Sequence, residues 1–180
     1  MEFPGSRQTV ERLVDEHYLP LYRYAYRLSG STADADDLTQ EAFCKAQACL
    51  SQLRDPGRAK PWLFRILRNV YLHKRRSERN HPCISLDGAD ELPGRLPDPL
   101  PAVDPQQLQD ALNELPETFR TPLILYYFDD FSYRDIAEHM DLPLGTVMSR
   151  LARGKAYLRN RLLSPGFVLA GRPGRTTDGL

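Results

Sequence analysis

Apolar residues recur at helical spacing in two separate stretches of the chain. In the first, Val10, Leu13, Val14, Leu21, Ala25 and Leu28 mark one helical face that Ser29-Gly30 closes. Pro20 falls inside that helix and predicts a kink. A second helix is expected to open at Ser31 or Thr32 and to run to about Leu53. Asp34, Asp36 and Asp37 lie near its N-terminus, where the helix dipole favours them. A loop from Arg54 to Lys60 follows, and Pro61 suits the first turn of a third helix. There Leu63, Ile66, Leu67 and Val70 repeat at i, i+3, i+4 and i+7.

The second stretch opens on Asp104-Pro105-Gln106-Gln107, which combines an N-cap, a first-turn proline and a capping-box Gln. Another helix follows Pro116 and carries the apolar run Leu123 to Phe128. Ser132-Tyr133-Arg134-Asp135 is a further capping box, with Tyr133, Ile136, Ala137 and Met140 expected to face inward. A last helix begins near Pro143 with a core stripe of Leu144, Val147, Leu151, Leu158 and Leu162. Only about three residues around Asp141 separate these two helices, which is helix-turn-helix spacing.

Between the stretches the composition changes. Of 15 prolines in 180 residues, Pro82, Pro93, Pro97, Pro99, Pro101 and Pro105 fall together. Asp87, Asp90, Glu91, Asp98 and Asp104 accompany them against a single Arg95. Such a segment buries too little apolar surface to fold and reads as an extended acidic linker. The expected fold class is all-α: two small helical domains, at 8–81 and 105–163, joined by a Pro-rich acidic linker at 82–104. A disordered tail is expected at 164–180, where Gly, Pro, Arg and Thr predominate.

The longest apolar run is far below the ~20 residues of a membrane span, and the N-terminus has no basic or apolar leader. Cys44, Cys49 and Cys83 show no CxxC spacing and suit a reducing compartment. A cytoplasmic protein without membrane insertion is the expectation.

Lys+Arg and Asp+Glu balance at 24 each, which by itself argues against nucleic acid, since backbone binding needs a positive field. Counted by segment, the balance dissolves. Arg58 to Arg79 holds eight basic residues and the one acid Glu78, and Arg150 to Arg161 holds five and no acid. Asp110 to Asp141 holds eight acids against Arg120 and Arg134. Each module thus carries one basic helix, the footprint of two nucleic-acid contacts on a tether.

On the last helix Thr146, Ser149, Arg150 and Arg153 lie at i, i+3, i+4 and i+7. That face suits base edges and phosphates of a major groove, although a solvated polar face has the same pattern. On the third helix Arg65, Arg68 and Arg75 share a face flanked by Trp62 and Asn69. It suits either a backbone groove with an unstacked base or a surface helix whose Trp packs inward. Asp36 to Phe43 contains no basic residue, and is either a solvated helix start or a protein-docking face. Glu78-Arg79-Asn80-His81 is an E-x-x-H tetrad, but a bundle di-metal site needs two of these, so no metal, cofactor or catalytic constellation is expected.

These segments, in this order, resemble the small extracytoplasmic-function sigma factors of bacterial RNA polymerase. DADDLTQEAF at 34–43 is similar to region 2.2, PWLFRILRNVYLHKRR at 61–76 to region 2.3 and its continuation, and FSYRDIAEHMDLPLGTVMSRLARGKAYLR at 131–159 to region 4.2. The resemblance implies a promoter-specificity subunit, not an enzyme, that binds core RNA polymerase and promoter DNA. By it, Asp36, Asp37, Leu38, Gln40, Glu41 and Phe43 contact the beta-prime clamp, and the second domain meets the beta flap. Arg54, Asp55, Arg58 and Lys60 belong to the loop that captures a flipped base of the minus-ten element. Trp62, Arg65, Arg68 and Asn69 hold the opened strand. Thr146, Ser149, Arg150, Arg153 and Lys155 belong to the minus-thirty-five contact. An anti-sigma protein wedged between the domains is the further partner implied. Met148 departs from the basic residue usual at that position, and Asp141 replaces the usual turn glycine. The alternative reading is a stand-alone helix-turn-helix regulator, which predicts tight, self-sufficient duplex binding, usually as a dimer.

Overall fold

Helix after helix forms where the apolar spacing demands one, and a computed structural model describes residues 6–80 and 104–163. The first module consists of α1 (Ser6–Ser29), α2 (Thr32–Ala48) and α3 (Ala59–Asn80). The second consists of α4 (Pro105–Glu114), α5 (Glu117–Tyr127), α6 (Tyr133–Met140) and α7 (Leu144–Leu163). No strand occurs among the described residues. The expected linker at 82–104, apart from Asp104, the tail at 164–180, and His81 of the tetrad lie outside them.

Local signals place most boundaries. Gly30, at φ +77, ends α1 in a backbone region that glycine tolerates best. Ser31 then caps α2 by accepting from the Asp34 amide at 3.3 Å. Asp104 accepts from the Gln106 amide at 3.1 Å, and Ser132 and Asp135 form the reciprocal capping box predicted for α6. Asp141 takes the left-handed conformation (φ 55, ψ 53), so the turn survives without glycine. Asp141→Gly should therefore stabilise the chain by about 0.5–1 kcal/mol, read from the denaturant midpoint; no gain would show that Asp141 carries no backbone strain.

Four local expectations are corrected. The loop expected to run from Arg54 to Lys60 ends sooner, because a 3-10 turn spans Pro56–Arg58 and α3 opens at Ala59. Helix α2 stops at Ala48, and a separate 3-10 turn spans Leu50–Gln52. Leu144 is 48% exposed, because as the first residue of α7 it precedes the turn that faces the core. Tyr133 is exposed and stacks on Tyr126 at 5.0 Å instead of entering the core. Helix α1 continues through Pro20 as one element.

A single apolar cluster runs through both modules. Phe64 of α3, fully buried, stacks on Tyr24 of α1 at 4.8 Å and tilts against Phe131 of the second module at 5.2 Å. The Tyr24 hydroxyl lies 3.4 Å from His139 Nε2 on α6. Gln109 Nε2 of α4 donates to the Arg27 carbonyl at 3.2 Å. Gly30 permits the approach of α4 as well: a Cβ there would fall 2.6 Å from Asn113 Nδ2. The two modules are therefore docked face to face.

Candidate nucleic-acid interface

Helix α7 presents two faces because Val147, Leu151 and Gly154 are buried against the module. Gly154 lets α5 come close, since a Cβ there would meet Leu123 Cδ1 at 2.7 Å. On the outward side Ser149 and Arg153 are exposed, while Thr146 and Arg150 are half-buried at its edge. The Ser149 hydroxyl donates to the Thr146 carbonyl at 3.0 Å, which leaves its oxygen as an acceptor toward the outside. At 100° per residue these four side chains share one quadrant, whereas Lys155 lies about 180° from Thr146. Lys155 is thus not brought together with the other four. Met148 lies beside Lys155, off that quadrant, and is 51% exposed. Its replacement of a basic residue therefore falls outside that face, on the same side of the helix as Lys155.

The basic helix α3 divides differently. Arg65 and Asn69 are exposed, Trp62 and Arg68 are half-buried, and Trp62 packs against the apolar cluster. Continuing the helical spacing from Arg65 and Asn69 brings His73 and Arg76 onto the same exposed face. Sequence reasoning counted Arg76 among the basic residues but did not place it or His73 at the site. The i, i+4, i+8 and i+11 spacing was the signal available. In the loop before α3, Arg54, Asp55 and Arg58 are exposed; the Asp55 carboxylate accepts from the Gly57 amide at 2.9 Å and shapes the turn.

Three cations of this surface already have partners in the second module. Arg58 pairs with Glu138 of α6, Lys60 Nζ donates to the Asp129 carbonyl at 2.6 Å, and Arg68 Nη2 reaches Glu117 Oε1 at 3.4 Å. Lys60 also lies over the Phe64 and Phe131 rings at 5.7 and 5.4 Å.

The acidic face of α2 separates into surface and core. Asp36, Asp37, Gln40 and Glu41 are exposed. Leu38 is 1% exposed and Phe43 9%, so both belong to the core and neither offers the docking contact expected of it. Phe43 is covered by Tyr18 of α1, stacked at 6.4 Å, and Tyr18 and Leu19 are the apolar groups left exposed on this part of α1. Their exposure breaks the α1 pattern and had no signal in the sequence, where Tyr18 falls on the apolar face by spacing. Glu41 pairs with Lys45 at 2.8 Å, and Lys74 of α3 pairs with Asp34 and, at 3.9 Å, with Asp37.

Burial shapes the charges between the modules. Asp129 is pushed up to about 7 by desolvation, against the pull of Lys60 and Arg27. Desolvation holds His139 down to about 3, with Arg68 and Arg65 adding to the effect. Burial also lowers Arg27, whose guanidinium lies 3.8 Å over the Phe128 ring. No group of three or more metal-ligating side chains occurs among the described residues, and no helix there is long and apolar enough to cross a membrane.

Residues 13–81 match Sigma-70 region 2, and residues 105–158 match Sigma-70, region 4. Among curated relatives, the ECF RNA polymerase sigma factor SigE of Mycolicibacterium smegmatis is 36% identical over 158 residues, covering 84% of this chain and 61% of its own length. The ECF RNA polymerase sigma factor SigL of Mycobacterium tuberculosis is 34% identical, covering 87% of this chain and 90% of its own. Among solved structures, the sigma factor RpoE in complex with the anti-sigma factor NepR from Bartonella quintana superposes with a TM-score of 0.72 at 28% identity. That likeness covers 84% of this chain and 95% of RpoE. With both helical modules matched in order and relatives of this identity and coverage, the chain belongs to the sigma-70 family, in its ECF RNA polymerase sigma factor group.

Proposed function

We propose that this protein is a promoter-specificity subunit, not itself a catalyst, that brings core RNA polymerase to promoters and helps open them. The observation that carries this is one chain presenting an exposed acidic α2 face, a basic α3 and an outward Ser149–Arg150–Arg153 quadrant on a helix-turn-helix. The module at 8–81 would serve polymerase and the minus-ten element, and the module at 105–163 the minus-thirty-five element and the beta flap. On α2, Asp36, Asp37, Gln40 and Glu41 supply the clamp contact, with Tyr18 and Leu19 as its apolar border. Arg54, Asp55, Arg58, Lys60, Trp62, Arg65, Arg68 and Asn69 receive the opened strand, and His73 and Arg76 extend that surface. Flipping a base out of the stack costs a few kcal/mol, and basic side chains beside an aromatic offset it. An anti-sigma protein is a fitting further partner, since the structural relative RpoE is found in complex with one.

Transcription by core polymerase on genomic promoters, with and without the protein, tests the reading. Stimulated initiation at a small promoter set is expected, and failure to bind core polymerase would refute it. Tight duplex binding without polymerase would support a stand-alone regulator instead. Arg150→Ala and Arg153→Ala should each weaken use of the upstream element by about 1–3 kcal/mol where the Arg makes a bidentate base contact. Wild-type use by both variants would remove them from the reading face.

A further inference from the structure

We propose that the cavity lined by Arg120, Arg75, Lys74 and Tyr71 binds the phosphate group of a small anion, either free phosphate or a small phosphate monoester. The cavity is about 260 Å³ in volume and lies between α3 of the first module and Asn113 and Arg120 of the second. Tyr71, Lys74 and Arg75 stand at i, i+3 and i+4 on α3 and so share one face. By helical spacing that face is turned roughly 180° from the exposed Arg65, Asn69, His73 and Arg76. Arg68 shares its side but lies two turns earlier and is paired with Glu117. The cavity is therefore set apart from the exposed strand surface, and a ligand there goes beyond the role proposed above.

Arg120 carries the argument. It is 7% exposed, and its Nε is buried without a hydrogen-bond partner among the described residues. Its Nη2 donates to the neutral Tyr71 hydroxyl at 3.3 Å, and no carboxylate pairs with it among the described residues. A guanidinium withdrawn from water without an anion is costly, and an anion in the cavity offsets that cost. The neighbouring groups are donors as well. The Tyr71 oxygen accepts from Arg120, which leaves its proton to donate. Asn113 accepts from Gln109 Nε2 at 3.0 Å through its side-chain oxygen, which leaves its NH2 as a donor. Lys74 is balanced by Asp34, the one carboxylate among the described lining residues. Arg75 and Arg120 then leave a surplus of two positive charges, which matches the roughly −1.5 to −2 of a phosphate monoester at neutral pH. Their planar forks suit phosphate oxygens. The volume falls below the ~300–1,000 Å³ of drug-sized ligand pockets, so the ligand is small.

The test titrates the full chain with inorganic phosphate and with glycerol 3-phosphate by isothermal calorimetry, at an ionic strength held constant with chloride. Arg120→Met removes the buried guanidinium and Arg75→Gln an exposed one. The control is Arg159→Gln, an exposed charge of α7 outside the cavity. Wild type and control should bind alike. Arg120→Met should bind about tenfold or more weakly, and Arg75→Gln about threefold. Phosphate should also raise the melting temperature of wild type and control but not of Arg120→Met. Tighter binding of glycerol 3-phosphate than of phosphate assigns the site to an ester, and the reverse assigns it to the free anion. No binding of either by wild type overturns the proposal. Equal binding by all four proteins assigns the anion to general surface charge and overturns it too. Should circular dichroism show Arg120→Met unfolded, Arg75→Gln against Arg159→Gln decides, and equal affinity of those two overturns the site. Loss of phosphate binding in the presence of an unphosphorylated single-stranded oligonucleotide gives the cavity to nucleic acid and overturns the small ligand.

Discussion

Phe64→Ala should lower the unfolding free energy by about 3–5 kcal/mol, the largest loss expected of any single substitution here. The ring is fully buried, and its neighbours come from both modules: Tyr24 on α1 at 4.8 Å and Phe131 before α6 at 5.2 Å. Truncation leaves a void between aromatic rings that cannot close without moving two helices. Because the cavity lies where the modules meet, the loss should appear in one cooperative transition of the full chain, followed by urea with far-ultraviolet circular dichroism. A loss under about 1 kcal/mol would show that the two modules do not share this core.

The second large effect is electrostatic and has a definite sign. Asp129 is raised from 3.8 to about 7 by burial in the folded chain. A carboxyl raised on folding binds its proton more tightly when folded, so its contribution is full below its ordinary value and is lost as pH rises through the folded one. His139 is held from 6.5 down to about 3, so its neutral form suits the fold above its ordinary value and stability falls as pH drops through that window. Between about pH 4 and 6.5 the two slopes oppose each other, and the wild type should show little pH dependence there. Asp129→Asn removes one of them. At pH 8 the variant should be more stable than wild type by roughly 1–3 kcal/mol, and on acidification below 6.5 it should lose stability where the wild type does not. Parallel pH profiles for the two proteins would show that Asp129 is not buried as an acid.

The candidate site was legible in parts, and the parts share a cause. Thr146, Ser149, Arg150 and Arg153 could be grouped on one face because a helix maps sequence spacing onto a face, and that mapping needs no tertiary information. Lys155 was grouped with them by charge alone, and its angle on the helix separates it. Leu38 and Phe43 were assigned to docking with their acidic neighbours, but a motif records which residues occur together and not which way each side chain points. Leu38 faces α2's buried side, and Phe43 is closed over by Tyr18 from another helix. Tyr18 and Leu19 escaped notice for the converse reason, since exposed apolar residues look like core until a neighbour fails to cover them.

Among the described residues, the linear order determined the seven α-helices, the caps at Ser31, Asp104 and Ser132, and the left-handed turn at Asp141, because those depend on contacts within a few residues. It determined as well that each module would carry a basic helix, so that a net charge of zero conceals opposed patches. Only the tertiary structure decided that the modules dock through Tyr24, Phe64, Phe131 and His139, and that Arg58, Lys60 and Arg68 meet oxygens of the second module. Those contacts join residues 49 to 115 positions apart. Their partners are chosen by shape and by the cost of burying charge unpaired, and neither quantity has a period along the chain.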